Sequence, residues 1–450
     1  MPPFRRAPGP ASAARVTATP AALPASPFAL APFRAFWTAK LCSTLAQLMM
    51  VVVIGWQVYD VARQTMGIRP AALLLGLVGL AQFLPVVLLT LPVGWVADHF
   101  DRRHIARAAV ALEMLCAALL AGLATAERPS LPALFAVATL LGVARAFAAP
   151  ALTALAPNLV PPALLPRAIA WNSMGWQMGA VAGPPLGGYL YGGAPAWPYL
   201  AALVLLAAAL AALLAIPPVP RPPRSSEPPV AQVRAGLAYV WHNKIVLGAI
   251  SLDLFAVILG GATALLPIYA RDILMVGPEG LGHLRAAPSV GAALLAFLLA
   301  RGSLGGRVGV KLLAAVAVFG GAIAVFGLSK SFALSMAALA LAGAADMVSV
   351  YVRQSLIQIH TPDGMRGRVA AVSSLFIGAS NELGELQSGL AAALIGPVAA
   401  AVAGGLGAVG VALAWSRLFP ALRNADRLEH AAASLACDAA LDRLAKEAIP

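Results

Sequence analysis

Glu382 and Glu385 stand three residues apart inside a stretch that is otherwise largely apolar. Less than one helical turn separates them, so their carboxyls can approach each other. Two acids held close in a poorly hydrated place resist double ionisation. One of them then carries a proton that it can take up from one side and release to the other. A cationic group would compete with that proton for the same charge. Ser374, Gly378, Asn381, Glu385 and Ser388 follow a four-three-four-three spacing, which lines them along one helix face with Glu382 beside it. Such a face turns toward a cavity or a partner helix, and the cavity is the favoured reading. In the alternative, the pair hydrogen-bonds to Asn381 and neighbouring helices and only supports packing. Asn172 and Gln177, on an earlier segment, are candidates for the opposite polar wall. Trp171 and Trp176 read equally as packing residues or as platforms for a ligand.

Three more acids, Glu113, Asp253 and Asp346, interrupt apolar segments, and Arg145 is the only clear cation inside one. A charge at mid-membrane costs about 2.5–3.5 kcal/mol on insertion scales. One arginine cannot neutralise five acids. Some of them must be protonated, face water or meet a cationic ligand, and protonation suits a reversible proton carrier. Asp253 and Glu113 are equally well read as solvated groups near helix ends.

The elements that must position these residues are membrane helices. Hydrophobic residues make up 60% of the 450-residue chain and charged ones only 11%, too few polar residues to cover a soluble domain. Apolar segments long enough to cross a bilayer recur at about 35–60, 71–96, 103–125, 131–155, 164–191, 197–216, 245–270, 280–300, 309–329, 331–354, 366–392 and 395–416. Lipid cannot satisfy a free backbone, and these segments are too long for barrel strands, so all twelve are read as helices. Lys and Arg favour the even-numbered connectors and the two tails by about four to one. Both termini are therefore expected in the cytoplasm. The proline-rich connector 217–244 divides the spans six and six, as a linker between two bundles would. The expected organisation is a disordered tail over 1–34, a six-helix bundle over 35–216, the linker over 217–244, a second bundle over 245–416 and a cytoplasmic tail over 417–450.

Several chemistries lack their signatures. No lysine follows a glycine, so there is no Walker A loop, and no HExxH, CxxC or GxSxG occurs. Cys42, Cys116 and Cys437 show no metal-type or paired spacing. The formal charge of +13 is read as loops held on one side of a membrane, not as a nucleic-acid surface. The N-terminal residues lack the apolar core of a signal peptide. The expectation is no enzyme, no metal and no cofactor. The expected partners are a small-molecule substrate, protons and the lipid bilayer; the sequence leaves the oligomeric state open, with a monomer favoured.

The densest charge cluster, "GWVADHFDRRHIAR" at 94–107, falls in the second connector. A carboxylate at one helix end and arginines at the next helix start can clamp a tight turn. "GWVADHFDRR" resembles the major facilitator superfamily signature between helices two and three. Gly94, Asp98, Arg102 and Arg103 match it, while His99 and Asp101 depart from it. The resemblance implies that this connector helps gate between inward- and outward-open states. The corresponding connector of the second half, "RGSLGGRVGVK" at 301–311, has the glycines and cations but no acid. In the fifth span, Gly175, Gly179, Gly183 and Gly187 recur every four residues and form a bare stripe for a neighbouring helix. Pro184 and Pro185 should bend that helix. Gly183, Pro184, Gly187 and Gly188 resemble the superfamily's helix-five motif, which is associated with exporters, proton antiporters above all. Arg145 falls where the superfamily often places an arginine linked to proton transfer. Residues 366–397 resemble the bacterial branch of enterobactin exporters and drug-efflux proteins. The resemblance implies twelve helices in two bundles, each of inverted three-helix repeats, and a proton-coupled exporter of the bacterial inner membrane. Its candidate coupling and cavity residues are Arg145, Glu113, Asp253, Asp346, Asn381, Glu382 and Glu385. Uptake, or a transport-inactive sensor, is the alternative.

Overall fold

A computed structural model describes residues 26–127, 129–218, 229–302 and 305–425. The first half holds α1 (Ala31–Thr65), α2 (Ile68–His99), α3 (Arg102–Ala124), α4 (Leu131–Leu155), α5 (Leu165–Gly193) and α6 (Trp197–Leu214). The second holds α7 (Pro229–His242), α8 (Lys244–Gly260), the short α9 (Leu266–Ile268), α10 (Gly277–Arg301), α11 (Val308–Leu328), α12 (Phe332–Ile359), α13 (Asp363–Ile395), α14 (Pro397–Leu418) and α15 (Pro420–Arg423). With α8 and α9 counted as one crossing, the described residues make twelve crossings. Composition alone marks 10 of them as membrane spans. The two left out are α5 and α13, whose glycines and polar residues dilute their hydropathy. Those are the helices on which the sequence concentrates its candidate chemistry.

The halves repeat one packing plan. In the first, α1 packs on α5 and α6, α2 on α4, and α3 on α4 and α6. In the second, α8 packs on α13 and α14, α10 on α12, and α11 on α12 and α14. Two equivalent crossings are among those so close that no side chain fits. A Cβ on Gly142 would stand 2.2 Å from the Gln82 carbonyl oxygen of α2, and one on Gly343 would stand 2.0 Å from the Pro288 carbonyl oxygen of α10. The local sequences "LLGVAR" (140–145) and "LAGAAD" (341–346) align on these glycines. Arg145 and Asp346 thus occupy equivalent places with opposite charge.

Between the halves, the main helix pairs are α2 with α13 and α5 with α10. One apolar cluster crosses from half to half. Val52, Trp56, Tyr59 and Leu75 pack there with Leu265, Tyr269, Leu281 and Leu284. It lies at the end remote from the 215–243 connector, called here the far end. Toward the opposite, linker end, α2 and α13 carry glycines with open space beside them. No atom comes within 4 Å of where a Cβ would stand on Gly94 of α2 or on Gly364, Gly367 and Gly378 of α13.

Some boundaries differ from the hydropathy reading. A 3₁₀ turn at Pro27–Ala29, capped by Ser26, leads into α1, and Phe33 is fully buried. Order therefore reaches into the segment expected as a tail, whose residues 1–25 lie outside the described residues. Part of the expected linker, Pro229–His242, is helical. The C-terminal tail beyond residue 425 also lies outside the described residues. The seventh crossing breaks after Gly260 into a 3₁₀ turn (Ala262–Leu265) and ends in a π-helical turn (Tyr269–Ile273). At the break, a Cβ on Gly261 would come within 2.8 Å of the Gly384 carbonyl, so α8 meets α13 backbone to backbone beside the glutamate pair.

Candidate functional site

Glu385 sits where three elements meet. Its Oε1 accepts from Thr263 Oγ1 at 3.3 Å and from Arg285 Nη2 at 3.4 Å. The break in the seventh crossing aims Thr263 at it, and α10 brings Arg285. From the other half comes the bare backbone of α2. A Cβ on Gly79 would stand 3.1 Å from Glu385 Oε2 and 3.7 Å from Glu382 Oε2. Both carboxyls of the pair thus reach across the junction between the bundles. Arg145 and Arg285 lie within electrostatic range of Glu382. Arg145 Nη1 donates to Gln82 Oε1 on α2 at 3.4 Å. On the other junction, Gln177 Nε2 of α5 donates to the Ser289 carbonyl of α10 at 2.6 Å. Val51, Gly55, Gln82, Pro267, Arg285 and Glu385 help line a cavity of about 460 Å³, counting its open mouth. Asn381 is exposed one turn before Glu385.

The charge balance differs from the sequence reading in one respect. Arg145 is not the only cation inside the bundles. Arg285 and Arg353, within the spans read at 280–300 and 331–354 but not counted there as intramembrane cations, stand within α10 and α12. Arg353 forms a buried ion pair with Asp253 of α8. An arginine lowers the hydropathy of its own segment, whereas the acid that compensates it lies about a hundred residues away, so the sequence window records only the cost. Glu113 is wholly buried in the first half. Its Oε1 accepts from Gln47 Nε2 at 2.6 Å, and its Oε2 has no partner among the described residues. Asp346 is half-buried, with no hydrogen bond or ion pair among the described residues.

The far end carries a lock that sequence reasoning missed. Arg63 of α1 pairs with Asp272 at 3.2 Å, and Arg271 pairs back to Asp60 at 3.1 Å. Tyr59 adds a hydroxyl hydrogen bond to Asp272. Acid and base are exchanged reciprocally between the ends of the first and seventh crossings. The signal was present as "YDVAR" at 59–63 and "YARD" at 269–272, like residue types closing corresponding helices.

The motif residues divide. Asp101 caps α3 by accepting from the Arg103 backbone N–H at 2.9 Å. The Arg103 guanidinium, 2.6 Å away, holds its carboxyl down at about 2. Arg103 also donates to the Ile216 carbonyl at 3.2 Å, and Arg107 to the Leu213 carbonyl at 2.9 Å, which staples α3 to the end of α6. Asp98 lies in the last turn of α2, but its side chain is outside the described residues. Gly94 of the signature faces open space here. In α5 the stripe packs on α1. Cβ atoms on Gly179, Gly183 and Gly187 would meet Thr44, Leu48 and Met49 at 2.7, 3.2 and 2.9 Å. α5 runs unbroken through Pro184 and Pro185. Gly188 faces the other half, 2.3 Å by the same measure from the Pro278 carbonyl oxygen of α10.

Residues 36–385 match the Major Facilitator Superfamily as a family. The chain belongs to that superfamily. Curated relatives include Enterobactin exporter EntS of Shigella boydii serotype 18, 28% identical over 379 residues, covering 83% of this chain and 88% of that protein. Enterobactin exporter EntS of Citrobacter koseri is 29% identical over 398 residues, covering 87% and 92%. The fold matches a POT family transporter crystallised with 5-aminolevulinic acid (TM-score 0.67, 13% identity, 87% and 96% covered). It also matches a bacterial homologue of the human lysosomal transporter Spinster, in an inward-facing, unoccupied conformation (TM-score 0.67, 15% identity, 87% and 98% covered). This member of the superfamily is thus a multi-pass membrane transporter of two six-helix bundles. Its two halves meet along α2–α13 and α5–α10, with reciprocal ion pairs between them at the far end.

Proposed function

We propose that this transporter exports a small amphiphilic molecule, siderophore- or drug-like, from a bacterial cytoplasm in exchange for protons. In this reading both termini and the linker end lie in the cytoplasm. The observation that carries it is the Glu382–Glu385 pair at the inter-bundle junction, with Glu385 bonded to Thr263 and Arg285 and both carboxyls beside Gly79 of the other half. A cationic or hydrogen-bond-donating group on these carboxylates excludes a proton, and a proton excludes that group. Mutual exclusion at a site open to one side at a time is antiport. Protonating Glu385 also removes the charge that holds Arg285, so the α10–α13 contact responds to occupancy. One charge crossing 100 mV supplies about 2.3 kcal/mol, enough to make ATP unnecessary. Export is supported by the exporter-type glycine–proline motif of α5 and by the relatives named as enterobactin exporters.

The test is an export screen in a strain lacking its own efflux pumps, with siderophores compared against cationic drugs. The expected result is proton-gradient-dependent release of one class. Substrate accumulation inside the cells, or no flux of any tested class, would contradict the proposal.

A further inference from the structure

Among the described residues, the linker helix α7 has one face with no protein partner and one that is firmly held. On the held face, Val240 is 2% exposed and packs with Val246, Ile250, Val369 and Val372. A Cβ on Gly236 would stand 2.7 Å from the Arg368 carbonyl oxygen of α13. Tyr239 and Asn243 both donate to the His360 carbonyl between α12 and α13. The helix is therefore fixed to the second bundle. On its outer face, Val233, Leu237 and Trp241 recur every four residues and are 39%, 45% and 65% exposed. That spacing makes one continuous apolar line. Arg234 and His242 run one residue further round, Lys244 follows, and all three are exposed. No acid occurs between 229 and 244.

An apolar line flanked by cations on a helix next to membrane spans matches the surface of a bilayer, not water. Anionic headgroups complement the cations, while the valine, leucine and tryptophan reach the start of the acyl chains. We infer that α7 is an interfacial helix. Its Val233–Leu237–Trp241 line is seated at the headgroup–acyl boundary, and Arg234 and Lys244 are set on anionic lipid headgroups. Because α7 is held by Gly236, Tyr239 and Asn243, this contact ties the second bundle, and with it the glutamate-bearing α13, to the membrane surface. The inference does not depend on the direction of transport.

Single cysteines at Val233, Leu237 and Trp241, in full-length protein whose native cysteines are replaced, would carry an environment-sensitive fluorophore. The labelled protein would be reconstituted in phosphatidylcholine vesicles containing phosphatidylglycerol. All three labels should emit in the blue and be quenched more by a nitroxide near the lipid headgroup than by a water-soluble quencher. Water-like emission, or a label shielded from both quenchers by protein, would overturn the assignment. A second measurement separates the charges. Omitting phosphatidylglycerol, or combining Arg234→Glu with Lys244→Glu, should shift the Leu237 label toward the red. Unchanged emission in both cases would remove the anionic-lipid contact.

Discussion

Buried charge sets the strongest demands on single residues. Asp253 and Arg353 face each other between α8 and α12, both nearly sealed from solvent. Removing one partner strands the other and costs about 3–5 kcal/mol, whereas replacing both by apolar groups of similar size is often neutral or better. Arg353→Leu should therefore lower the melting temperature sharply, and adding Asp253→Leu should restore most of it. A normal melting temperature in the single variant would show that the pair is hydrated. The glutamate pair should behave differently. Glu382→Gln and Glu385→Gln keep shape and remove charge, and at least one should give a well-expressed protein that binds substrate without pumping it uphill. If both keep full, pH-dependent export, coupling lies elsewhere, with Asp346 the next residue to test. The acids were legible in the sequence because each interrupts an apolar run. Their arginine partners were not. Arg285 and Arg353 lie near the starts or ends of their spans, and nothing in the sequence pairs them with Glu385 and Asp253, about a hundred residues away.

Helix contacts test the glycines. A Cβ at Gly142 or Gly343 would overlap a carbonyl oxygen of the crossing helix, and backbone cannot swing aside as a side chain can. Gly343→Ala should cut folded yield in fluorescence-detected size exclusion. Gly94 has open space around it, so Gly94→Leu should fold normally yet fail in transport if the linker end must close over it. Transport at the normal rate would show that α2 is not approached there. The α5 stripe was legible from its spacing of four, although only the structure names α1 as its partner. Gly142 and Gly343 were not singled out, because a lone glycine carries no period. α7 was hidden by the prolines that precede it, since its amphipathic pattern spans only 14 residues.

For the whole molecule, the six-and-six organisation was legible because hydropathy and cation bias are summed over long stretches. Which end stands open was not, since one sequence encodes both closures and two such states differ by only a few kcal/mol. The lock of Arg63 and Asp60 with Asp272 and Arg271 favours the far-end-closed state. Asp272→Asn should shift spin-label distances across the linker end toward the closed population, and an unchanged distribution would make the lock incidental. The central claim, exchange of protons for substrate at the glutamate pair, is tested most directly in inside-out vesicles holding the purified transporter. An inward-directed substrate gradient should drive protons out of the vesicle lumen, seen as lumenal alkalinisation, and the Glu385→Gln protein, whose site mimics the protonated form, should lose that signal. Substrate entry with no lumenal pH change in the native protein would contradict the account.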